Sequence, residues 1–113
     1  MAEFIKNAPK AEVFEMAGLV EYQEGQVVSR TLVQNQHLTL TLFAFEAGEG
    51  ISSHSAPGDA LVQILEGAAS IDVGVETFNV SAGQSLIMPA GVPHGLEAET
   101  RFKMLLTLVK ESL

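Results

Sequence analysis

Short apolar stretches recur along the 113 residues of this chain, and glycine or proline separates many of them from the next. The stretch at 37–45 alternates leucine with threonine, and this period of two is typical of a β-strand with one buried face. The stretches that predict strands lie at 19–22, 27–33, 37–45, 61–65, 69–73, 76–80, 85–88 and 102–110. Strands at such close spacing predict an all-β fold. Because an open sheet leaves unpaired edges, we expect these strands to close into a barrel.

Helical periodicity is almost absent from the chain. The one candidate helix lies at 11–18, and its apolar residues Val13, Phe14 and Met16 do not form a clean stripe. Hydrophobic residues make up 47% of the sequence, which is enough for a folded core. No linker or internal repeat divides the chain, so we expect one domain over residues 1–113, with an N-terminal arm at about 1–18 and a barrel at about 19–110.

The formal net charge of −8, from 14 acidic and 6 basic residues, argues against several classes of partner. The six cations are scattered and form no basic stripe, so we expect neither nucleic acid nor an anionic membrane as a partner. The chain has no cysteine, which rules out disulfides and thiolate metal sites and fits a cytoplasmic protein. The sequence predicts no signal peptide and no apolar run of the roughly 18 residues that a membrane span needs.

Two segments share their spacing of glycine, proline and histidine with known motifs. Residues 48–67 read GEGISSHSAPGDALVQILEG, and residues 83–94 read GQSLIMPAGVPH. The first segment resembles the first motif of the cupin family, in which a glycine and five residues precede His-x-His, a glutamate and a closing glycine. The second segment resembles the second cupin motif, which has Pro-x-Gly and ends on a histidine. The resemblance implies a jelly-roll β-barrel (a double-stranded β-helix) with its site in the barrel mouth.

The positions that bind metal in this family are only partly kept. In the register of the motifs, His54 occupies the first ligand position and His94 the last. Ala56 stands where the second histidine is expected, and Ala60 stands where the glutamate is expected. The resemblance therefore implies a site at His54 and His94 for a divalent transition metal such as Zn, Fe, Mn, Ni or Cu, completed by other groups. The alternative is two histidines that hydrogen-bond within a polar pocket.

Two further side chains are weak candidates for a third ligand. Asp59 lies one residue before the glutamate position, so on an extended strand it points away from the site. A type II turn at Pro57-Gly58 could re-aim it, although an acid that caps the turn is the simpler interpretation. Gln63, like Asp59, has an odd number and is expected to face outward on the strand. The simpler interpretation of Gln63 is a surface or subunit-contact residue. His37 lies outside both motifs and is expected to face solvent.

The two alanines also predict a cavity. The residues expected to face inward with His54 and to line a pocket are Ala56, Ala60, Val62 and Ile64. Alanine in place of histidine and glutamate leaves space and removes charge, which favours a mostly apolar small-molecule pocket with a polar end. The alternative is that Phe43, Phe45 or Met88 fills this space.

These residues leave more than one function open. A metal-dependent enzyme that acts on a small organic substrate fits the histidine pair, and the family includes dioxygenases, isomerases, lyases and sugar-modifying enzymes. A non-catalytic ligand-binding or sensing module fits the two alanines. A structural or storage domain without a binding site is the third hypothesis. The apolar odd positions Leu61 and Leu65 predict a buried partner surface and hence a homodimer.

Overall fold

The computed structural model describes residues 3–111 of the chain, and they form nine β-strands and one short 3-10 helix. The helix is Met16–Leu19. The strands are β1 (Val27–Gln34), β2 (Leu38–Phe45), β3 (Gly50–His54), β4 (Asp59–Glu66), β5 (Ala68–Val73), β6 (Glu76–Ser81), β7 (Ser85–Met88), β8 (His94–Glu97) and β9 (Phe102–Val109). The all-β prediction is confirmed. No helix within residues 3–111 is long and apolar enough to cross a bilayer.

The strands form two antiparallel sheets. The five-stranded sheet has the order β1-β2-β9-β4-β7, and the four-stranded sheet has the order β3-β8-β5-β6. This architecture is the predicted jelly roll, but the expected closure into a barrel is wrong, because neither sheet pairs back on itself among the described residues. The edge strand β7 has only four residues and is followed by Pro89, which has no N–H to extend the pairing.

The core lies between the two sheets. Its largest fully buried side chains include Phe45 and Phe102, whose rings stack with centroids 4.6 Å apart. The alternation predicted for β4 holds, because Val62 and Ile64 are buried in this core while Gln63 is exposed. Apolar side chains from both sheets therefore fill the space between them. Burial of this apolar surface is the main driving force for the fold.

A second apolar cluster lies on the outer face of the five-stranded sheet. Val20 and Leu32 are buried there, and Leu65 and Met16 pack against them. The strand predicted at 19–22 is wrong, because this segment packs on the sheet through side chains without pairing to it. The candidate helix at 11–18 is reduced to the single 3-10 turn. Residues 3–22 thus form an arm that covers part of the outer face.

Two motif glycines are required by close approach of the backbone. Gly58 has no positive φ, so the type II turn expected at Pro57-Gly58 is wrong. A Cβ at Gly58 would collide with the carbonyl oxygen of Val109. Gly67 has φ +74°, and a Cβ there would collide with the carbonyl oxygen of Arg101. Both glycines therefore bring the β4 ends against β9 and its flanks.

Candidate functional site

His54 and His94 face each other across the pair of strands β3 and β8. The strand register pairs the two residues directly, so their side chains lie on the same face of the sheet. The ring centroids are 4.6 Å apart and the ring planes meet at 69°. The sequence prediction that both motifs bring their histidines to one place agrees with this geometry.

A β-bulge in β3 produces this pairing. Ile51 pairs with Leu96 and His54 pairs with His94, so three steps along β3 match two steps along β8. Without the extra residue, Ser53 would oppose His94 and the His54 side chain would point to the other face. Leu96 belongs to the core between the sheets. The bulge therefore turns His54 to the core side of the four-stranded sheet.

His94 is the buried member of the pair. It begins β8 and is 3% exposed, while Val73 of β5 pairs with it on the opposite side from His54. Its Nδ1 donates a hydrogen bond to the carbonyl oxygen of Val92 at 3.2 Å. Burial lowers the pKa of His94, and the neighbouring His54 lowers it further. The neutral imidazole is therefore favoured at this position.

His54 is exposed but has the same local arrangement. Its Nδ1 donates to the carbonyl oxygen of Ser52 at 3.0 Å, again two residues earlier in the chain. A carbonyl oxygen can only accept, so each hydrogen bond requires the proton on Nδ1. In the neutral ring, Nε2 then keeps its lone pair. Backbone carbonyls commonly fix metal-binding imidazoles in this tautomer.

The separation of the two rings is compatible with one ion shared by both. Imidazole nitrogen binds transition metals at about 2 Å, so two imidazoles on one ion keep their ring centres within roughly 6 Å. The observed separation of 4.6 Å meets this condition. Among residues 3–111, however, no group of three or more His, Asp or Glu side chains could hold a metal ion together. The pair therefore offers two protein ligands.

Asp59 is used for a different contact. Its Oδ1 accepts a hydrogen bond from the backbone N–H of Ala90 at 2.8 Å. Next to it, the Ala56 carbonyl oxygen accepts one from the N–H of Gly91 at 3.0 Å. These two bonds join the loop that follows His54 to the loop that precedes His94. Asp59 thus stabilises the loop before His94 and is used as a turn-stabilising acid.

The other sequence candidates lie away from the pair. Gln63 is exposed on β4, on the face opposite to its buried neighbours Val62 and Ile64. His37 is exposed, and its Nδ1 lies 2.7 Å from Oε2 of Glu111. Neither residue is brought to His54 and His94.

The residues expected to line a pocket are placed mostly in the packed interior. Ala60, Val62 and Ile64 are at most 2% exposed and belong to the main core cluster. Ala60 pairs with Met88, which is also buried, and Phe45 packs in the same cluster. Ala56 is half-buried in the loop after His54. Three grooves on the surface of residues 3–111 are lined by other residues.

The sequence contained no signal for a polar cluster on the outer face of the five-stranded sheet. The Tyr22 hydroxyl donates to Oε2 of Glu66 at 2.5 Å, and burial together with this carboxylate raises the pKa of Tyr22. The guanidinium of Arg101 and the ammonium of Lys103 lie 4.4 and 4.9 Å from the ring centroid. Lys103 also donates to the carbonyl oxygen of Ala17 at 2.8 Å. These cation–π and hydrogen-bond contacts fasten the end of the arm to the sheet.

A jelly roll that carries a histidine pair between its two motif loops defines the cupin class of protein. The profile of the family described as "Cupin domain" matches residues 41–109, which cover both motifs and the seven complete strands β3 to β9. The chain belongs to the cupin family.

Solved structures of similar proteins share the whole fold. A conserved protein of unknown function from Streptococcus pyogenes is 44% identical, with a TM-score of 0.95 over 99% of this chain and 98% of that one. A cupin superfamily protein from Desulfitobacterium hafniense is 33% identical, with a TM-score of 0.91 over 95% of this chain and 98% of that one. These similarities confirm the predicted cupin fold over nearly the full chain.

Two further similarities cover a smaller part of this chain. An uncharacterised protein of Streptomyces coelicolor is 32% identical over 62 residues, which are 55% of this chain and 59% of that relative. Salicylate 1,2-dioxygenase from Pseudoaminobacter salicylatoxidans is 22% identical, with a TM-score of 0.68 over 74% of this chain and 25% of that one. The second similarity shows a shared fold and nothing more.

Proposed function

We propose that this protein binds a divalent transition metal through Nε2 of His54 and Nε2 of His94 and uses it on a small organic substrate, in the cytoplasm. The observation that supports the proposal is the matched arrangement of the two rings. Each Nδ1 is held by a carbonyl oxygen two residues earlier, and the rings lie 4.6 Å apart. Zn, Fe, Mn, Ni and Cu are the candidate ions, and imidazole ligands favour Zn, Fe, Ni or Cu among them.

The two histidines have different parts in this proposal. The lowered pKa of His94 keeps its ring neutral, so metal binding there needs little release of a proton near neutral pH. The exposed His54 lies on the solvent side and gives the ion and the substrate a way in. When bound, the metal would supply Lewis acidity or activate water or oxygen. Ala56 and Ala60 stand at the positions of the other two family ligands, so oxygen donors from substrate or water would complete the coordination.

Metal binding can be tested with histidine variants and a matched control. Protein prepared without an affinity tag is titrated with Zn, Fe, Mn, Ni and Cu by calorimetry, and its metal content is measured by elemental analysis. We expect one equivalent to bind, and we expect His54→Ala and His94→Ala each to weaken binding by at least about tenfold, as loss of a ligand or its support does. His37→Ala removes an exposed histidine outside the site and should bind as the native protein does. Absence of uptake, or equal uptake by the His54→Ala/His94→Ala double variant, would refute the proposal.

A non-catalytic ligand-binding or sensing module is the second candidate function. One observation favours it: the described residues bring no third His, Asp or Glu to the pair. In this case a small metabolite would raise the melting temperature equally with and without a chelator. A broad metabolite screen in which only metal ions shift the melting temperature would exclude this candidate.

A further inference from the structure

Strand β2 places threonine, and not leucine, between the two sheets. Leu40 and Leu42 face outward, where they join the second apolar cluster. Thr39 and Thr41 lie on the other face, because side chains alternate along a strand, and they share this face with Phe45 of the main core. The alternation of leucine with threonine therefore gives β2 an inner face that is apolar at one end and rich in hydroxyl groups at the other.

The neighbouring edge strand β1 continues this polar surface. Thr31 pairs directly with Thr41, and Gln34 pairs with Thr39, so the members of each pair share a face. A bulge at Leu32 lets this leucine join the outer cluster and returns Gln34 to the inner face. We call the four inward-facing residues the polar strip, which consists of Thr31, Gln34, Thr39 and Thr41.

The hydroxyl groups of the polar strip are free to bind a ligand. Within residues 3–111, no side-chain hydrogen bond uses the hydroxyl of Thr31, Thr39 or Thr41, and no buried polar side-chain atom lacks a partner. Solvent must therefore reach these hydroxyls, although Thr41 as a whole is only 7% exposed. A threonine hydroxyl both donates and accepts, so each can bind a hydroxyl or carbonyl group of a small molecule.

The polar strip and the histidine pair lie at the same end of the two sheets. Strand β3 ends at His54, and a short loop leads from it to Ala60 near the start of β4. Strand β7 ends at Met88, and a second loop leads from it to His94 at the start of β8. Both loops cross from one sheet to the other at this end. The histidine pair therefore faces the inner-face row of the five-stranded sheet that contains Ala60 and Met88.

That row also contains half of the polar strip. It crosses β7, β4, β9, β2 and β1 in the order Met88, Ala60, Leu108, Thr39 and Gln34. Exposure rises along the row, since Met88 and Ala60 are at most 2% exposed, Leu108 and Thr39 are half-buried, and Gln34 is exposed. The space between the sheets is therefore closed at β4 and β7 and open at β1 and β2.

His54 lies on the open side of this space. At one edge of the four-stranded sheet, β6 runs through residues 82–84 directly into β7, which is an edge of the five-stranded sheet. Strand β3 forms the opposite edge and therefore lies on the side of β1 and β2. His54 ends β3 and is exposed. The exposed histidine and the polar strip thus border the same opening from the two sheets.

The charges around this opening favour an uncharged ligand. Among the inward-facing strand residues at this end of the described chain, the charged one is Glu76, which is exposed on β6. Lys110 follows β9, and its ammonium donates to the carbonyl oxygen of Asn35 at 3.1 Å. An anion would therefore meet no free cation on these strands, and the net charge of −8 would repel it.

We propose that the polar strip binds the hydroxyl or carbonyl groups of a small uncharged molecule, a polyol or hydroxyketone, whose other end reaches the histidine pair. Packed sheets lie about 10 Å apart, so a molecule of about four to six carbon atoms bridges the two sides. The inference rests on the proposed function in taking this molecule as the substrate. The hydrogen bonds to the polar strip do not themselves require a metal.

Titration of isotope-labelled protein with matched probes, followed by amide NMR, tests the inference. Erythritol and erythrulose are uncharged four-carbon probes, and threonate is a carboxylate of the same length. The amide signals are followed in metal-free protein and in protein with one equivalent of zinc. We expect at least one uncharged probe to give saturable shifts in β1 and β2, and threonate to bind at least about tenfold more weakly, since it meets no cation.

Threonine variants show whether the hydroxyl groups bind the probe. The double variant Thr39→Val/Thr41→Val removes two hydroxyls and should weaken probe binding by at least about tenfold, as loss of two hydrogen bonds does. Thr39→Ser/Thr41→Ser keeps both hydroxyls and should bind the probe nearly as the native protein does. Thr107→Val makes the same chemical change on the outer face, where Thr107 pairs with Leu40, and should leave probe binding unchanged.

The outcomes separate this inference from the metal-binding proposal. If the protein takes up no zinc but probe binding depends on Thr39 and Thr41, the metal-binding proposal fails and this inference stands. If zinc binds and the valine double variant binds the probe as the native protein does, this inference is overturned and the metal-binding proposal stands. Failure of both uncharged probes to bind native protein, or binding of threonate as tight as that of erythrulose, would also overturn it, and neither result depends on a variant that folds.

Discussion

Replacing Ala60 with glutamate returns a carboxylate to the position where the cupin motif carries one, and the structure predicts that the metal-free protein is destabilised by it. Ala60 is 2% exposed and pairs with Met88 on β7 and with Leu108 on β9. Because the core is filled at this point, the added atoms must displace neighbours, which costs about 1–3 kcal/mol. An unpaired buried carboxylate costs several kcal/mol more.

The pH dependence of the loss identifies its cause. Burial raises the pKa of a carboxyl group above the value of about 4.3 that it has in an unfolded chain. Above that pH the unfolded state releases its proton first, so the free energy of unfolding of Ala60→Glu falls as pH rises toward the folded pKa. We expect a loss of about 1–3 kcal/mol at pH 4, from displaced packing alone. At pH 7.5 the loss should reach about 4 kcal/mol or more, since the charge is then disfavoured as well.

Urea unfolding followed by circular dichroism measures these losses, with two control variants. Ala60→Gln has nearly the same shape without the charge, so its loss should be independent of pH. Gln63→Glu places the same carboxylate at an exposed position on the same strand and should change stability by less than about 0.5 kcal/mol. A transition metal at 100 times its Kd should restore about 2.7 kcal/mol to Ala60→Glu if the carboxylate joins the histidine pair. Native stability of metal-free Ala60→Glu at pH 7.5 would refute the reasoning, because it would show room beside Ala60.

Two further predictions concern His94 and Gly67. The pKa of His94 is lower in the folded protein than its unfolded value of about 6.5. Below pH 6.5 the unfolded state therefore binds more protons than the folded state. The free energy of unfolding consequently falls as pH decreases from 6.5 toward the folded pKa. The difference in free energy of unfolding between native protein and His94→Gln should therefore shrink between pH 7.5 and 5.5 in urea titrations, and a constant difference would contradict the assignment. In thermal unfolding, Gly67→Ala should lose clearly more stability than Gly25→Ala. Both glycines have positive φ, and the left-handed conformation alone costs a residue with a Cβ about 1–2 kcal/mol. Only at Gly67 does the carbonyl oxygen of Arg101 also lie where the Cβ would be. Equal losses would contradict the close approach at Gly67.

The sequence predicted the elements whose signal is local. Alternation in 37–45 predicted β2, which is Leu38–Phe45, and the inward parity of Ala60, Val62 and Ile64 agrees with their burial. The alternation of inward and outward side chains could not be extended from His54 to Ala60, because the two residues lie on different strands. Strand β3 ends at His54, and β4 begins at Asp59. The segment at 19–22 is apolar because it packs on the outer face of a sheet, and an apolar tetrapeptide has the same pattern whether it pairs or only packs.

The bulge in β3 shows why the site itself was harder to predict than the fold. Motif spacing places a histidine near the end of β3, but the side to which it points depends on one extra residue between Ile51 and His54. That residue lies in a stretch of two serines, which has no hydrophobic alternation to fix the register. The bulge turns His54 toward His94. The hydrogen bonds that Asp59 and Ala56 accept from the loop before His94 hold the two motifs together. The fold's own pairing and loop contacts therefore bring the two histidines together, and this geometry is compatible with alanine at Ala56 and Ala60.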